Sequence, residues 1–304
     1  MTTQMFSRLR RACGMAHCIA AIQLGACGGD SGESLTSGPT IASVSIGTPM
    51  YRQLLTISIV GSQLDAGITV SSTNCANMRL STAAPFSSSA TTAYYQCTPF
   101  FDGSALVTVV RDSDGAVLSS TEIIVPLPEV TLRVNNGETV AGDVVIRLRP
   151  DKKPQTVNNF LSYVDSGFYV GTIFHFVFPD LVVEGGGYLP FTPDAPRVLK
   201  PTNPPIPAED DRTNHLSNLQ WTVAMVHVDD QDRATSQISI NLNDNISRDN
   251  FGQRGTTVVF GSIVGGKEIV TAMAAAPCAR TSYYAFPGCL PFPNVLITGA
   301  GQTR

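Results

Sequence analysis

The chain has little charge, a single tryptophan and no long hydrophobic run. Only 14% of its 304 residues are charged, and the formal net charge is −4. A mildly acidic chain without a basic stripe lacks the electrostatic footprint of a nucleic-acid-binding protein. No run approaches the ~18 consecutive apolar residues of a transmembrane helix, so we expect none. Hydrophobic residues still make up 43% of the chain, which excludes global disorder.

The N-terminus has the pattern of an export signal. Arg8, Arg10 and Arg11 precede a moderately apolar stretch, residues 12–26, that is too short and too polar for a stop-transfer helix. The stretch ends in Leu24-Gly-Ala-Cys27, which resembles a bacterial lipobox, in which the cysteine is lipidated and becomes the mature N-terminus. We therefore expect residues 1–27 to be a lipoprotein signal. An ordinary signal peptide with an incidental cysteine is the alternative.

The seven cysteines divide into two sets under this interpretation. Cys13 and Cys18 leave with the signal, and Cys27 carries the lipid. Four remain in the mature chain: Cys75, Cys97, Cys278 and Cys289. An even number of cysteines in an exported protein indicates disulfides, and nearness in sequence favours Cys75–Cys97 and Cys278–Cys289 among the possible pairings. A four-cysteine zinc site is the alternative, but no C-x2-C pair supports it.

The mature chain divides into a tether and two domains. Residues 28–38 are rich in Gly and Ser and predict a flexible tether. Residues 39–126 show short alternating strands and a hairpin signal at Asp114-Gly115, which predict a β-sandwich that resembles bacterial Ig-like modules of the IPT/TIG type. This segment contains no histidine and little charge, so we expect no catalysis there. Pro126-Leu-Pro128 has the composition of a linker.

The pattern changes in the second domain, residues 129–304. Strands at 130–134 and 142–149 flank an Asn-Asn-Gly turn. A helix is predicted to begin at Pro154 and to end at Gly167, because apolar residues recur there at helical spacing and proline suits a first turn. A second short helix is predicted over Lys267–Ala275, followed by a final strand at 294–298.

Several segments of this domain resemble bacterial cyclophilins over roughly residues 130–300. They occur in the family's order: Gly142 to Leu148, Lys153 to Phe160, Gly167 to His175, Glu184 to Gly187, Lys200 to Ile206, Thr222 to Met225, Ala234 to Leu242 and Val259 to Val264. The resemblance implies a closed, eight-stranded antiparallel β-barrel capped by two helices. The expected fold is therefore mostly β, with an Ig-like sandwich followed by this barrel.

Cyclophilins are peptidyl-prolyl cis-trans isomerases, and the resemblance implies that chemistry. Rotation about an X–Pro bond must cross a barrier of ~18–20 kcal/mol, and it requires no nucleophile, metal, cofactor or proton transfer. In the family, an apolar pocket holds the proline ring and a cation donates a hydrogen bond to the prolyl nitrogen. That bond strengthens as the amide twists, so it stabilises the transition state selectively. The implied partners are proline-containing peptides or unfolded envelope proteins.

The first half of the family's site shows one major departure. Where the family has Phe-His-Arg, this chain has Phe174-His175-Phe176, so the histidine is kept and the catalytic arginine is replaced by Phe176. The next motif places Leu181 and Val182 at the apolar pocket positions. Glu184 replaces the substrate-binding glutamine of that motif.

The second half of the site departs at the pocket floor. The family's Ser-Gln-Phe-Phe is Ser236-Gln237-Ile238-Ser239 here, so Gln237 is kept and Ser239 replaces the aromatic floor. Three further positions complete the expected substrate-binding set by resemblance: His227, Thr257 and Phe251.

Each of these residues also has a simpler interpretation. His175 in an apolar strand fits a structural core histidine, and Glu184 fits a solvated loop residue. His227 with Asp229, Asp230 and Asp232 forms a potential metal cluster, but its spacing fits neither an EF-hand nor a zinc site, so we expect no metal. A triad of His175 or His227 with Asp244 and Ser236 has no supporting G-x-S-x-G motif.

Three functional hypotheses remain for a monomeric, periplasm-facing lipoprotein held at the membrane by its lipid alone. The first is a cyclophilin-type isomerase that is weak because its arginine is missing. The second is a non-catalytic cyclophilin fold that binds peptides or acts like a chaperone. The third is a structural envelope lipoprotein whose domains act as spacers. An isomerisation assay separates the first two, and a test of peptide binding separates the third.

Replacing Cys27 tests the anchoring hypothesis. Cys27→Ser removes the thiol that accepts the lipid, so the variant should leave the membrane fraction or keep its signal uncleaved. Cell fractionation and mass spectrometry of the N-terminus measure both effects. An unchanged membrane fraction together with an unchanged N-terminal mass would refute lipidation at this residue.

Overall fold

The computed structural model describes residues 38–209, 214–227, 233–249, 257–285 and 287–304. The predicted signal, Cys27, nearly all of the tether and Phe251 lie outside these ranges, as do the three aspartates at 229, 230 and 232. Residues Gly38–Arg304 form one compact unit. No helix among the described residues is long and apolar enough to cross a bilayer.

The N-terminal part consists of two antiparallel sheets. Their strands are β1 (Thr40–Ile46), β2 (Leu55–Ser62), β3 (Ile68–Ser72), β4 (Cys75–Leu80), β5 (Thr92–Pro99), β6 (Gly103–Arg111) and β7 (Val117–Val125), with a 3-10 turn at Leu64–Ala66. One sheet has the order β1-β2-β5-β4 and the other β3-β6-β7. The kinship to Ig-like modules stays a prediction.

Alternation along these strands builds a shared core. Leu55, Ile57 and Ile59 of β2 are buried, while the residues between them are more exposed. The Tyr95 hydroxyl of β5 donates to the Ile68 carbonyl of β3 at 2.8 Å and so links the two sheets. The predicted Cys75–Cys97 disulfide is present, and it joins β4 to β5 within one sheet.

The C-terminal part is the predicted closed barrel. Its elements are β8 (Glu129–Asn135), β9 (Ala141–Leu148), α1 (Pro154–Asp165), β10 (Ile173–Phe178), β11 (Val182–Gly185), β12 (Ile206–Pro207), β13 (Thr222–His227), β14 (Arg233–Asn241), β15 (Val258–Gly265), α2 (Lys267–Ala275), β16 (Cys278–Ala279), β17 (Leu290–Pro291) and β18 (Val295–Gln302), with a 3-10 turn at Ile246–Arg248. Eight strands form a ring in the order β11-β10-β18-β8-β9-β15-β13-β14, which closes through β11–β14 pairing.

The helices follow the predicted patterns. In α1 the side chains of Val157, Phe160 and Leu161 are wholly buried, and Phe160 packs on Phe260 of β15 at 5.2 Å between ring centroids. Helix α2 has the predicted bounds. The last strand, β18, runs to Gln302 rather than 298, because pairing with β8 continues beyond a bulge that the alternation pattern does not reveal.

The two parts of the described chain are in direct contact. The Tyr51 hydroxyl donates to Asn158 Oδ1 of α1 at 3.0 Å, and Arg52 Nη1 donates to the Asn158 carbonyl at 2.9 Å. Gln302 Nε2 of β18 donates to the Tyr51 carbonyl at 3.0 Å. The sheets and the barrel therefore touch through specific polar contacts in addition to the linker.

Candidate active site

Three of the predicted site residues form a row across neighbouring strands. Phe176 of β10 is paired with Glu184 of β11, and Glu184 is paired with Ser239 of β14. Side chains alternate between the two faces of a strand, and the intervening residues Val183 and Ile240 are wholly buried in the barrel core. The row therefore lies on the outer side of the barrel wall.

The three consecutive glycines that follow Glu184 let the backbone pack tightly against neighbouring side chains. A Cβ at Gly187 would lie 2.4 Å from Gln237 Cγ, and one at Gly186 would lie 2.7 Å from the Tyr169 ring. Tyr169 in turn donates its hydroxyl to the Ser236 carbonyl at 2.7 Å, which fixes β14. The glycines are thus required for Gln237 to lie directly against this loop.

Phe176 lies under a loop closed by the second predicted disulfide, Cys278–Cys289. Its ring packs on Tyr284 at 4.8 Å between centroids, and a Cβ at Gly288 would lie 2.4 Å from the ring. Cys289 and Val177 exchange two backbone hydrogen bonds of 2.9 Å, which hold the end of the loop on β10. The ring is therefore packed into an aromatic wall.

An arginine that the sequence analysis did not identify lies beside the other two residues of the row. Arg248 Nη1 donates to Ser239 Oγ at 3.3 Å, and Arg248 Nη2 is 3.7 Å from Glu184 Oε1. The side chain of Arg248 is only 21% exposed, and that of Glu184 only 18%. Glu184 is thus a largely buried partner of a cation, which argues against the solvated-loop interpretation.

Burial dominates the electrostatics of this pair. It raises the pKa of the Glu184 carboxyl, although the Arg248 guanidinium and the Ser239 hydroxyl act in the opposite direction. Burial likewise lowers the pKa of Arg248, and the Glu184 carboxylate opposes that change. The attraction between the two groups thus offsets part of the penalty that burial places on each charge.

A buried polar network contacts Arg248 through Asn241, whose Oδ1 accepts from Arg248 Nη1 at 3.5 Å. Asn241 Nδ2 donates to Asn218 Oδ1 at 3.1 Å, and Thr257 Oγ1 donates to the same oxygen at 2.9 Å. Asn245 Nδ2 donates to Asn241 Oδ1 at 2.8 Å and also lies 2.8 Å from the Leu181 carbonyl. Thr257 thus lies 6% exposed within this network, beside the row rather than in it.

The two residues at the predicted apolar pocket positions lie in or next to strand β11. Val182 pairs with Phe178 and with Asn241, so it lies on the outer side of the wall next to Glu184, and it is 2% exposed. Leu181 precedes it in the turn after β10 and is half-buried.

His175 is enclosed in the wall. It is 4% exposed, and its ring packs against Tyr188 at 4.6 Å between centroids. Burial lowers the pKa of His175 to about 3, and the nearby Arg197 guanidinium acts in the same direction. Its Nδ1 atom has no hydrogen-bond partner among the described residues. The geometry fits a neutral core histidine.

His227 and Gln237 line a cavity of about 450 Å³, and Tyr188 and Lys200 also belong to its lining. Lys200 Nζ donates to the Phe168 and Val170 carbonyls at 2.5 and 2.9 Å, which fixes the position of its charge. His227 thus shares a cavity with Gln237, and Gln237 itself lies two residues before Ser239 on the same face of β14.

Arg197 is a second cation that the sequence analysis missed. Its guanidinium lies over the rings of Tyr283 and Tyr188, at 4.4 and 5.1 Å from their centroids, and 5.8 Å from the ring of Tyr284. Burial raises the pKa of Tyr284 to about 12, although Arg197 opposes the change. This cluster forms the outer wall next to Phe176.

The sequence gives little indication of Arg248 or of the tyrosines around Arg197. Arg248 falls in the stretch between the motif that ends at Leu242 and the one that begins at Val259, where a length difference obscured the family alignment. Tyr283 and Tyr284 belong to a loop with no periodic pattern. Among the described residues, no group of three or more His, Cys, Asp or Glu side chains could hold a metal ion.

Acid should destabilise the fold through His175. A histidine in an unfolded chain titrates near 6.5, so between that pH and about 3 the folded state binds fewer protons than the unfolded state. The stabilisation is complete above the unfolded value and is lost as the pH falls through this window, by about 1.4 kcal/mol per pH unit. Denaturant unfolding between pH 7 and 4 should show a weaker pH dependence for His175→Gln than for the wild type. Identical slopes for the two proteins would contradict the assignment.

Comparison with known proteins identifies the family. Residues 130–298, more than half of the chain, match the model for "Cyclophilin type peptidyl-prolyl cis-trans isomerase/CLD". The chain is 46% identical over 131 residues to peptidyl-prolyl cis-trans isomerase A of Dickeya dadantii (strain 3937), covering 43% of this chain and 65% of that protein, just under two thirds. It is 41% identical over 138 residues to an isomerase of Streptomyces antibioticus, covering 44% and 79%.

Solved structures include a cyclophilin type peptidyl-prolyl cis-trans isomerase of Cryptosporidium parvum, with 18% identity and a TM-score of 0.43, covering 58% of this chain and 98% of that one. The family match confirms the extent of the resemblance seen in the sequence. The chain belongs to the cyclophilin-type peptidyl-prolyl cis-trans isomerase family.

Proposed function

We propose that this protein is a weak peptidyl-prolyl cis-trans isomerase of the bacterial cell envelope, acting on X–Pro bonds of unfolded exported proteins. The observation that carries the proposal is the row Phe176–Glu184–Ser239 on a barrel of the isomerase family. We infer that the row corresponds to the family's site, with its chemistry changed at all three positions.

The loss of a guanidinium at position 176 reduces the rate. A phenyl ring cannot donate a hydrogen bond to the prolyl nitrogen, and Tyr284 and Gly288 hold the ring of Phe176 in the wall. A lost transition-state donor of this kind costs ~2.7–4 kcal/mol, about 10²–10³ in rate.

The pocket floor also binds proline less well. Ser239 lacks an aromatic ring, and Arg248 brings a charged group against its hydroxyl. A proline ring that loses several tens of Å² of apolar contact binds about 1–2 kcal/mol more weakly at ~25 cal/mol per Å². Val182 and Gln237 still provide an apolar side and an amide at the groove, so peptide binding is weakened without being abolished.

Export to the envelope is supported by two features. The N-terminal pattern ending at Cys27 is typical of a lipoprotein signal. The Cys75–Cys97 and Cys278–Cys289 disulfides form stably in oxidising compartments. A lipid at Cys27 would hold the monomeric protein at the membrane and leave both folded parts free to meet unfolded chains.

A non-catalytic peptide-binding role is the second candidate, and Phe176 favours it. If the twisted amide gains no stabilisation, the groove would bind proline peptides in both isomeric states without accelerating their exchange. Measuring exchange and affinity on the same peptide separates this role from the first.

Wild-type protein should catalyse X–Pro exchange at least ~100-fold less efficiently than an arginine-bearing cyclophilin. Phe176→Arg alone should recover little, because the wall crowds position 176 and the floor is still polar. Adding Glu184→Gln and Ser239→Phe, together with Arg248→Leu to make room for the new ring, should recover more than the sum of the single effects. NMR exchange spectroscopy of a proline tetrapeptide measures these rates without a coupled protease.

An arginine-bearing bacterial cyclophilin assayed in parallel is the control. Wild-type turnover equal to that control would show that Phe176 does not occupy the position of the catalytic arginine. Peptide binding without any acceleration would favour the second candidate, and the absence of binding would favour a structural spacer.

A further inference from the structure

Amide twisting needs a hydrogen-bond donor at the prolyl nitrogen, and Phe176 cannot supply one. Among the described residues, two guanidinium groups approach the row from opposite ends. Arg248 reaches Ser239 and Glu184, whereas Arg197 lies beyond Tyr284 on the far side of Phe176. These two groups are the candidates for a replacement cation.

The position of Arg248 suits it for the role. Adjacent strands lie about 4.8 Å apart, so a guanidinium that contacts both Glu184 and Ser239 lies within about two strand spacings of Phe176. It contacts the two residues of the row on the outer side of the barrel wall, and its side chain keeps 21% of its surface exposed. Arginine carries five N–H donors in a planar fork, so contacts with Glu184 and Ser239 are compatible with a further bond to a substrate amide.

Burial adds to the strength of such a bond. Both Arg248 and Glu184 are about four-fifths shielded from water, and hydrogen bonds to a charged donor are stronger in a partly desolvated site. Placing this charge pair in a groove brings little stability by itself, because desolvation offsets most of the attraction. A pair of this kind is therefore better explained by a role in the site than by folding.

Arg197 is less suited to the role. It is exposed, and its guanidinium face is directed at tyrosine rings, with the Tyr283 centroid only 4.4 Å away. Tyr284 stands between it and the row, since the same ring packs directly on Phe176.

We propose that Arg248 donates the hydrogen bond to the prolyl amide in this protein, with Glu184 and Ser239 as positioning residues for its guanidinium. The donor of the groove has thus moved from strand β10 to the 3-10 turn after β14. The inference rests on the proposed isomerase function and accounts for its residual activity.

The test compares four proteins with the wild type in the full-length mature chain. Arg248→Leu with Glu184→Gln removes the donor without leaving a buried carboxylate unpaired. Arg248→Lys keeps the charge but not the planar fork. Arg197→Leu removes the competing cation, and Arg133→Leu removes an exposed arginine that pairs with Asp143 far from the row in the strand order. Exchange rate and affinity are measured separately on one X–Pro tetrapeptide, and circular dichroism confirms that each variant is folded.

The inference predicts that Arg248→Leu/Glu184→Gln lowers the exchange rate of the bound peptide by about tenfold or more, with affinity changed less than about threefold. Arg248→Lys should fall between this variant and the wild type, and Arg133→Leu should match the wild type.

An unchanged or faster rate in the double variant would overturn the inference, because Arg248 would then be inert or would merely block the proline pocket. A loss seen only in Arg197→Leu would overturn it as well. Failure of the proposed function is a different result: no acceleration by the wild type itself.

Discussion

The pairing of β11 with both β10 and β14 is the constraint on which the rest of the structure depends. It closes the eight-stranded ring and sets the register that aligns Phe176, Glu184 and Ser239. A shift of one residue would direct Glu184 into the barrel core, where a carboxylate has no partner. Fold and site are thus fixed by the same backbone hydrogen bonds.

Within the ring, a charge pair lies where the proposed site would otherwise have an apolar floor. Glu184 and Arg248 are each costly to bury alone, and the network through Asn241 holds the arginine beside Ser239. The barrel of this family is thus present here around a row that combines Glu184, Ser239 and Arg248. The aromatic wall formed by Tyr284 over Phe176 is part of the same rearrangement.

Local patterns were enough to predict much of the fold. Helical spacing and Pro154 gave α1, the Asp114-Gly115 pair marked a hairpin, and proximity in sequence gave both disulfides. The motifs also singled out Glu184 and Ser239, which the strand register pairs in one row with Phe176. Arg248 could not be predicted from the sequence, because only tertiary packing brings a residue after β14 against β11. No spacing rule encodes that contact. The aromatic wall could not be predicted either, because the loop that carries it has no periodic pattern.

A crystal structure of the wild-type protein with a bound proline tetrapeptide tests the central claim most directly. The account predicts that the proline lies across the row of Phe176, Glu184 and Ser239, with an Arg248 nitrogen within hydrogen-bond distance of the prolyl amide. A peptide bound in the groove with Arg248 still directed only at Glu184 and Ser239, or a peptide bound elsewhere on the barrel, would contradict it.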